Sequence, residues 1–371
     1  MKKIPSIVES TNSYEAWMAD EIDIVPGDLE RKHELMAGDD KGTFYRATYY
    51  RRAQVLPVLL PELMAYTVVL SMADAHAGQY AVWLNANDEE VLGGNDFDEA
   101  YPLAWTNDLI NQATSLLIKK EEGSLILKVE DACESLLKGY GRCLEVGPAP
   151  LILQEQHHAL RRIVEEQKIK PEKYWDKLLQ SPEIDIPHKL LELLKNELPA
   201  GITDYKTLAR TAGKGSLGRR RIDMIAPLDD GYIAEEAKAL MPSACAWAAT
   251  GRARRVTQMY EEQILSLPTR SPDPSVKIVD GWLLRKLSPA YRHIELAKIY
   301  DKDDQDIFLR AMGFDHANTH LGTPNSKRSI YRQFEQLDGK RLLHAAETML
   351  AKVNSDWDDW KQHWSEQAES R

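Results

Sequence analysis

Three carboxylates, Asp74, Asp96 and Asp98, stand just past short apolar runs. Between them, Ala81–Ala86 and Val91-Leu92 flank a polar Asn87-Asp88 and read as two short strands joined by a turn. Mg²⁺ favours one or two carboxylates completed by phosphate oxygens and water, so an Asp pair at neighbouring strand ends suits holding the ion against a phosphate. Asp is equally at home in such turns because it caps a following helix and tolerates turn geometry. Spacing alone leaves both readings open.

A second set lies far along the chain. Gly213-Lys214-Gly215-Ser216-Leu217-Gly218 precedes the alternating run Arg221–Ile225, and Gly231–Lys238 reads as a further strand. Before a helix, that glycine spacing would suggest a dinucleotide loop. Before a strand it fits a hairpin loop lying over ATP phosphates, where glycine lets the backbone come close. Lys238 ends its strand ahead of a predicted helix over Ser243–Leu267, the place where kinase-like folds carry the lysine for the α- and β-phosphates; otherwise it is a solvated strand lysine. Glu261 and Glu262 are candidates for its acidic partner. Lys41–Arg52 reads either as a helix with a solvated basic face or as an anion site with Arg46 turned to phosphate.

The pattern Asp74-Ala-His76-x-x-Gln79, then Asn95-Asp96-Phe97-Asp98-Glu99-Ala100, then Asp108-Leu109, resembles the catalytic core of aminoglycoside and choline phosphotransferases. It is still more similar to a bacterial family catalogued as domain of unknown function 2252. That family's aromatic-and-arginine stretch matches Phe44 and Arg46, and its later motifs match Gly213–Gly218 and Lys238 to Ser243, so the resemblance spans roughly residues 32–365. It implies that Asp74 is the base for an acceptor hydroxyl, with His76 a weaker candidate, and that Asp96, with Asp98, holds Mg²⁺. It also implies that Asp108 braces the catalytic loop, although a plain helix N-terminal role would suit Asp108 too. The phosphotransferases carry Asn five residues after the base; here the position holds Gln79, and a metal contact there would have to span one more methylene.

The elements that must position these groups are mixed. Residues 1–31 are expected to form a partly ordered arm, and 32–200 a mainly helical lobe. Within it, 100–106 reads as a loop, a helix starts at Asn107 or Asp108, Gly139-Tyr140-Gly141 reads as a break, and Leu151–Glu166 reads as helix. Residues 201–288 read as β-rich, beginning with a strand over Tyr205–Ala212, and 289–371 return to helix, with an apolar stripe of Leu342, Ala345, Met349 and Val353. The crowded Asp315-His316-Ala317-Asn318-Thr319-His320 fits capping and interlobe hydrogen bonds better than a metal site.

With 371 residues the chain is long enough for a substantial core, and its net charge of −11 argues against a nucleic-acid partner. No apolar run is long enough to span a bilayer, and no signal peptide is visible, so neither membrane nor export is expected. Three cysteines without ligand spacing read as reduced core thiols of a cytoplasmic protein.

Together these point to an α+β chain, mostly helical with one five-stranded antiparallel sheet, arranged as a two-lobed kinase-like fold. Because the acidic motifs precede the glycine loop and Lys238, the fold would be circularly permuted. The expected function is an ATP- and Mg²⁺-dependent phosphotransferase acting on an unidentified hydroxyl acceptor. The nucleotide would be held by Arg46, Gly213, Gly215, Ser216, Gly218 and Lys238, and the metal by Asp96, Asp98 and Gln79. The alternatives are a nucleotide-binding module without turnover and a nucleotidyl transferase using the same groups.

Overall fold

The computed structural model describes residues 4–154, 157–210, 213–229, 231–251 and 258–369. It is α+β and about half helical. The five-stranded antiparallel sheet runs, in spatial order, Lys206–Ala209, Arg221–Leu228, Gly231–Ala239, Trp282–Leu287 and Lys277–Val279. Two further β elements lie outside it. One is a ladder of Val68–Ser71 with Tyr101–Ala104, where a loop was expected. The other is a four-stranded sheet in the order Arg292-His293, Tyr80–Leu84, Glu90–Gly94, Leu151-Ile152.

The largest core is helical. The 31-residue helix Gly339–Glu369 buries Leu342, Ala345, Met349 and Val353, as their spacing required, among residues that include Ile110 and Ala113 of the helix Thr106–Glu121. The helix Val129–Val146 packs along Lys302–His320. It runs unbroken through the Gly139-Tyr140-Gly141 segment read as a break. The glycines mark a close crossing instead: a Cβ on Gly139 would strike the Arg310 carbonyl, and one on Gly313 the Leu136 carbonyl.

The N-terminal arm is also better formed than expected. Ser6 and Glu9 make a reciprocal capping box that starts the helix Ile7–Glu21, and Tyr14, Trp17 and Met18 are buried. A second helix, Asp28–Ala37, follows. Of the long helix expected over Ser243–Leu267, the described residues show Ala244–Thr250, which ends at Gly251 with φ +61°, and Glu261–Leu265. The intervening part of that prediction falls on 252–257, outside the described residues, as does the end of the strand predicted over Tyr205–Ala212, of which Lys206–Ala209 is strand. The Leu151–Glu166 segment opens with a two-residue strand and among its described residues is helical from His158 to Glu165; 155–156 lie outside the described residues. The three cysteines are free and buried. Among the described residues no helix is long and apolar enough to cross a membrane.

Candidate active site between the sheet and the helical half

Asp74 sits on a loop with little freedom. Beyond the strand Val68–Ser71, the Asp108 carboxylate accepts hydrogen bonds from the Ser71 hydroxyl, the Met72 N–H (2.8 Å) and the Ala73 N–H (2.9 Å), and is bonded to His320 Nε2 (3.0 Å). The Ala73 carbonyl accepts from the amides of Asn107 (3.1 Å) and Asn111 (3.4 Å). These bonds hold Ala73 at φ +70°. A non-glycine residue in that region costs about 1–3 kcal/mol and persists only where the surroundings over-determine it. Burial pushes the Asp108 carboxyl up, but the hydrogen bond and charge of His320 outweigh it and hold the group well below the usual carboxylate range. Asp108 also lies in the first turn of its helix, so it serves the helix terminus and the loop at once.

The Asp74 side chain is 19% exposed and pairs with the guanidinium of Arg52. Burial raises its pKa, Arg52 lowers it and Glu99 raises it again, leaving it pushed up to about 7. A general base works best when its pKa lies near the working pH. Arg52 is itself buried: its Nε donates to Asn111 Oδ1 (2.9 Å) and its guanidinium lies 3.6 Å from the Tyr45 ring centroid. Its neighbour Arg51 is tied to Asp356 by bonds of 2.9 and 3.1 Å. The basic face read at Arg51-Arg52 is therefore not solvated. The adjoining Tyr45, Tyr49 and Tyr50 were the available signal, since arginine stacks on aromatic rings when buried.

The second acidic group arrives on a hairpin. Tyr80 pairs with Gly94, and the Asn95 N–H donates to the Gln79 carbonyl (3.0 Å), so the two loops leave the hairpin side by side. Asp315 fixes the exit, accepting from the Gly94 N–H (2.8 Å) and Arg270 (2.6 Å). Asp315 and His320 thus serve hydrogen bonds, and among the described residues no group of three or more His, Cys, Asp or Glu is arranged to hold a metal. Asp96 opens onto the cleft with a side chain 42% exposed. Against the desolvation of the cleft, Lys238 and then Arg46 hold its pKa below the ordinary value.

Lys238 bridges the two halves of the chain. Its ammonium pairs with Asp98 and stands 3.8 Å from Asp96 Oδ1. Arg219 links Asp98 (3.3 Å) to Glu99 (2.8 Å), and Glu99 accepts the Ala244 N–H (2.6 Å) at the start of the following helix. Glu261 is buried close by without bonding Lys238; burial and then the charge of Asp98 push it up to about 8. Glu262 instead lines a neighbouring cavity of about 460 Å³ behind Phe97.

These groups line one cavity of about 790 Å³, which includes Arg46, Asp74, Gln79, Asp96, Asp98, Gly213, Gly215, Ser216 and Lys238. Three of the expected residues are placed differently: His76, Gln79 and Gly218, the last of which is off the cavity wall. His76 is buried, and its Nδ1 accepts the Gly78 N–H (3.0 Å), so it is not on the cavity wall. Gln79 is on the wall but only 1% exposed, and its side chain is spent on the loop: Oε1 accepts the His76 N–H (3.1 Å) and Nε2 contacts the Met72 sulfur (3.0 Å).

The glycine loop is clamped rather than free. Gly215 lies so close to the Arg46 carbonyl that a Cβ would come within 2.9 Å of it. Gly218, off the cavity wall, donates to Asp28 (3.0 Å) and accepts from Val25 (3.0 Å), while Lys214 pairs with Asp40 (2.8 Å). The Arg46 guanidinium has no hydrogen-bonded or ion-paired partner among the described residues, although it faces both Asp74 and Asp96 electrostatically. The sheet wall carries a cluster that the sequence did not announce. Glu236 is fully buried and bonded to Arg285 (2.6 Å), Arg210 (3.0 Å) and Arg221 (3.3 Å).

Residues 25–173, less than half of the chain, match the model of a family described as an uncharacterized protein conserved in bacteria (DUF2252), which supports the family resemblance of the acidic motifs. No curated protein and no solved structure matches the chain.

Proposed function

We propose that this cleft binds Mg²⁺–ATP and transfers a phosphoryl group to a hydroxyl acceptor, in a permuted two-lobed fold of the kinase type. The observation that carries the reading is the 3.8 Å between Lys238 Nζ and Asp96 Oδ1, with Asp98 paired to the same ammonium 140 residues away in sequence. Two motifs that phosphotransferases use on one nucleotide converge here from opposite halves of the chain, and the glycine loop lines the same cavity. Asp74 accepts the acceptor hydroxyl proton. Lys238, the unpartnered Arg46 and the backbone of Gly213–Ser216 take the phosphates. Asp96, open to the cleft, is the group that would hold Mg²⁺, with Asp98 beside it, and the ion would supply charge neutralisation on the transferred group. Catalysis of this kind rests on positioning and charge neutralisation.

One observation favours a second reading, a nucleotide-binding module without turnover. Gln79, at the place of a metal-binding Asn, has its amide engaged by the loop.

The test is thermal unfolding with Mg²⁺ and ATP for the wild type, Asp96→Ala and Lys238→Ala. A ligand at ~100 times its dissociation constant adds about 2.7 kcal/mol. A Mg²⁺-dependent rise in Tm is expected for the wild type and for neither variant; no rise in the folded wild type defeats the nucleotide assignment. Product analysis then divides the readings: ADP means phosphoryl transfer, pyrophosphate nucleotidyl transfer, and unchanged ATP a binding module.

A further inference from the structure

The cavity lined by Asp74 also has an aromatic part that no motif announced. Its walls are Ala47, Tyr49, Tyr50, Tyr14 and Lys32, with Glu99 and Arg219 at the edge toward Asp98. Lys32 is 1% exposed. Its ammonium lies beside two rings that stack on one another at 4.4 Å, 5.1 Å from the centroid of Tyr50 and 5.5 Å from that of Tyr14. Among the described residues it has no hydrogen-bond acceptor and no carboxylate partner. Burial accordingly lowers its pKa. An ammonium taken out of water without a counter-charge is costly, and ring faces repay only part of that cost.

The surrounding carboxylates have bonded partners elsewhere: Glu15, whose charge pulls on Lys32 most strongly, is bonded to His33. Arg52 answers Asp74, and Arg219 answers both Asp98 and Glu99. Arg46 lies toward the glycine loop, on the side proposed for phosphate. Among the described residues Lys32 is left without a directly bonded partner, and it contributes one positive charge to the aromatic part of the cavity that Asp74 also lines.

We propose that Lys32 is the anion receptor of an acceptor subsite, and that the acceptor is a hydroxyl compound carrying a single carboxylate. The carboxylate pairs with Lys32, the body of the molecule lies against Tyr14, Tyr49 and Tyr50, and its hydroxyl points to Asp74. The identity of the compound as an acceptor rests on the phosphotransferase reading; the anion subsite does not.

The two are separable in one experiment. A panel of small hydroxycarboxylates, each paired with its neutral amide, is titrated against the protein while Tm is recorded with and without Mg²⁺–ATP. Wild type, Lys32→Met, Lys32→Gln and Lys32→Arg are compared. Members of the panel are expected to raise the wild-type Tm where their amides do not, to bind at least tenfold more weakly to Lys32→Met and Lys32→Gln, and to regain binding in Lys32→Arg. The Mg²⁺–ATP shift is expected to survive in the two neutral variants. Equal response to acids and amides, no response to any acid, or undiminished binding to Lys32→Met overturns the proposal. Loss of the Mg²⁺–ATP shift in the neutral variants also overturns it, because Lys32 would then serve nucleotide phosphate. A carboxylate response without any Mg²⁺–ATP shift upholds the subsite and defeats the phosphotransferase reading.

Discussion

The two walls of the cleft are both built from buried charge, yet they are finished to different degrees. Under the Asp74 loop, Asp108 receives bonds from Ser71, Met72, Ala73 and His320, and His320 Nδ1 is in turn bonded to the Tyr140 hydroxyl (3.0 Å). On the sheet wall, Glu236 gathers three arginines, but among the described residues the Asp223 carboxylate is left with Arg210 at 3.5 Å and no closer hydrogen bond, and Nε of Arg285 has no partner. A fully satisfied network specifies one geometry, whereas each unpaired buried polar atom keeps its desolvation cost. The contrast puts a fully bonded network under the wall that carries the proposed base, and unpaired buried atoms on the wall that would face the nucleotide.

The largest effect should come from breaking the finished wall. Asp108→Ala leaves two backbone N–H groups, a hydroxyl and His320 without their acceptor. A loss of about 5 kcal/mol is expected in urea unfolding, the upper end for removing one partner of a buried charged network. A loss below 1 kcal/mol would mean that the loop does not depend on Asp108.

The sheet wall should respond less, and in two directions. Glu236→Gln leaves three arginines facing one another and should cost about 3 kcal/mol in the same assay. Asp223→Asn should differ. Burial, opposed by Arg210, pushes the Asp223 carboxyl up to about 7. A carboxyl raised above its unfolded value of about 3.9 favours the fold fully only below that value, and its advantage fades as pH climbs through the folded pKa. The wild type should therefore lose stability between about pH 4 and pH 7 that Asp223→Asn retains, with less than about 1 kcal/mol between them at pH 4. Melting curves across that range check the sign; parallel curves would show that Asp223 does not titrate there.

Legibility followed the locality of the forces. The five strands of the sheet, the glycine loop and the apolar stripe of the last helix were readable because alternation, glycine spacing and helical period are local properties. Asp74, Asp96 and Lys238 were singled out by motif resemblance, and the structure brings them to one cavity. Lys32 was not, because nothing near it in sequence says that it will be buried against tyrosine; Arg52 had its signal in the adjoining Tyr45, Tyr49 and Tyr50. Gly139 misled for a related reason. In a single chain, glycine signals a break; only the partner helix shows that it permits contact. The N-terminal helix was missed because its buried Tyr14, Trp17 and Met18 are few and set among polar residues, so periodicity stayed weak.

The helix Lys302–His320 touches both acidic loops, through Asp315 at Gly94 and through His320 at Asp108. Five residues of α-helix advance about 7.5 Å. The offset between the support under Asp96 and the support under Asp74 is therefore a fixed length of peptide, independent of how either loop is drawn. Because Gly139 and Gly313 seat that helix, enlarging either glycine would move both supports together as one ruler. Such a change should alter the cleft by translation while leaving the relative placement of the two carboxylates intact.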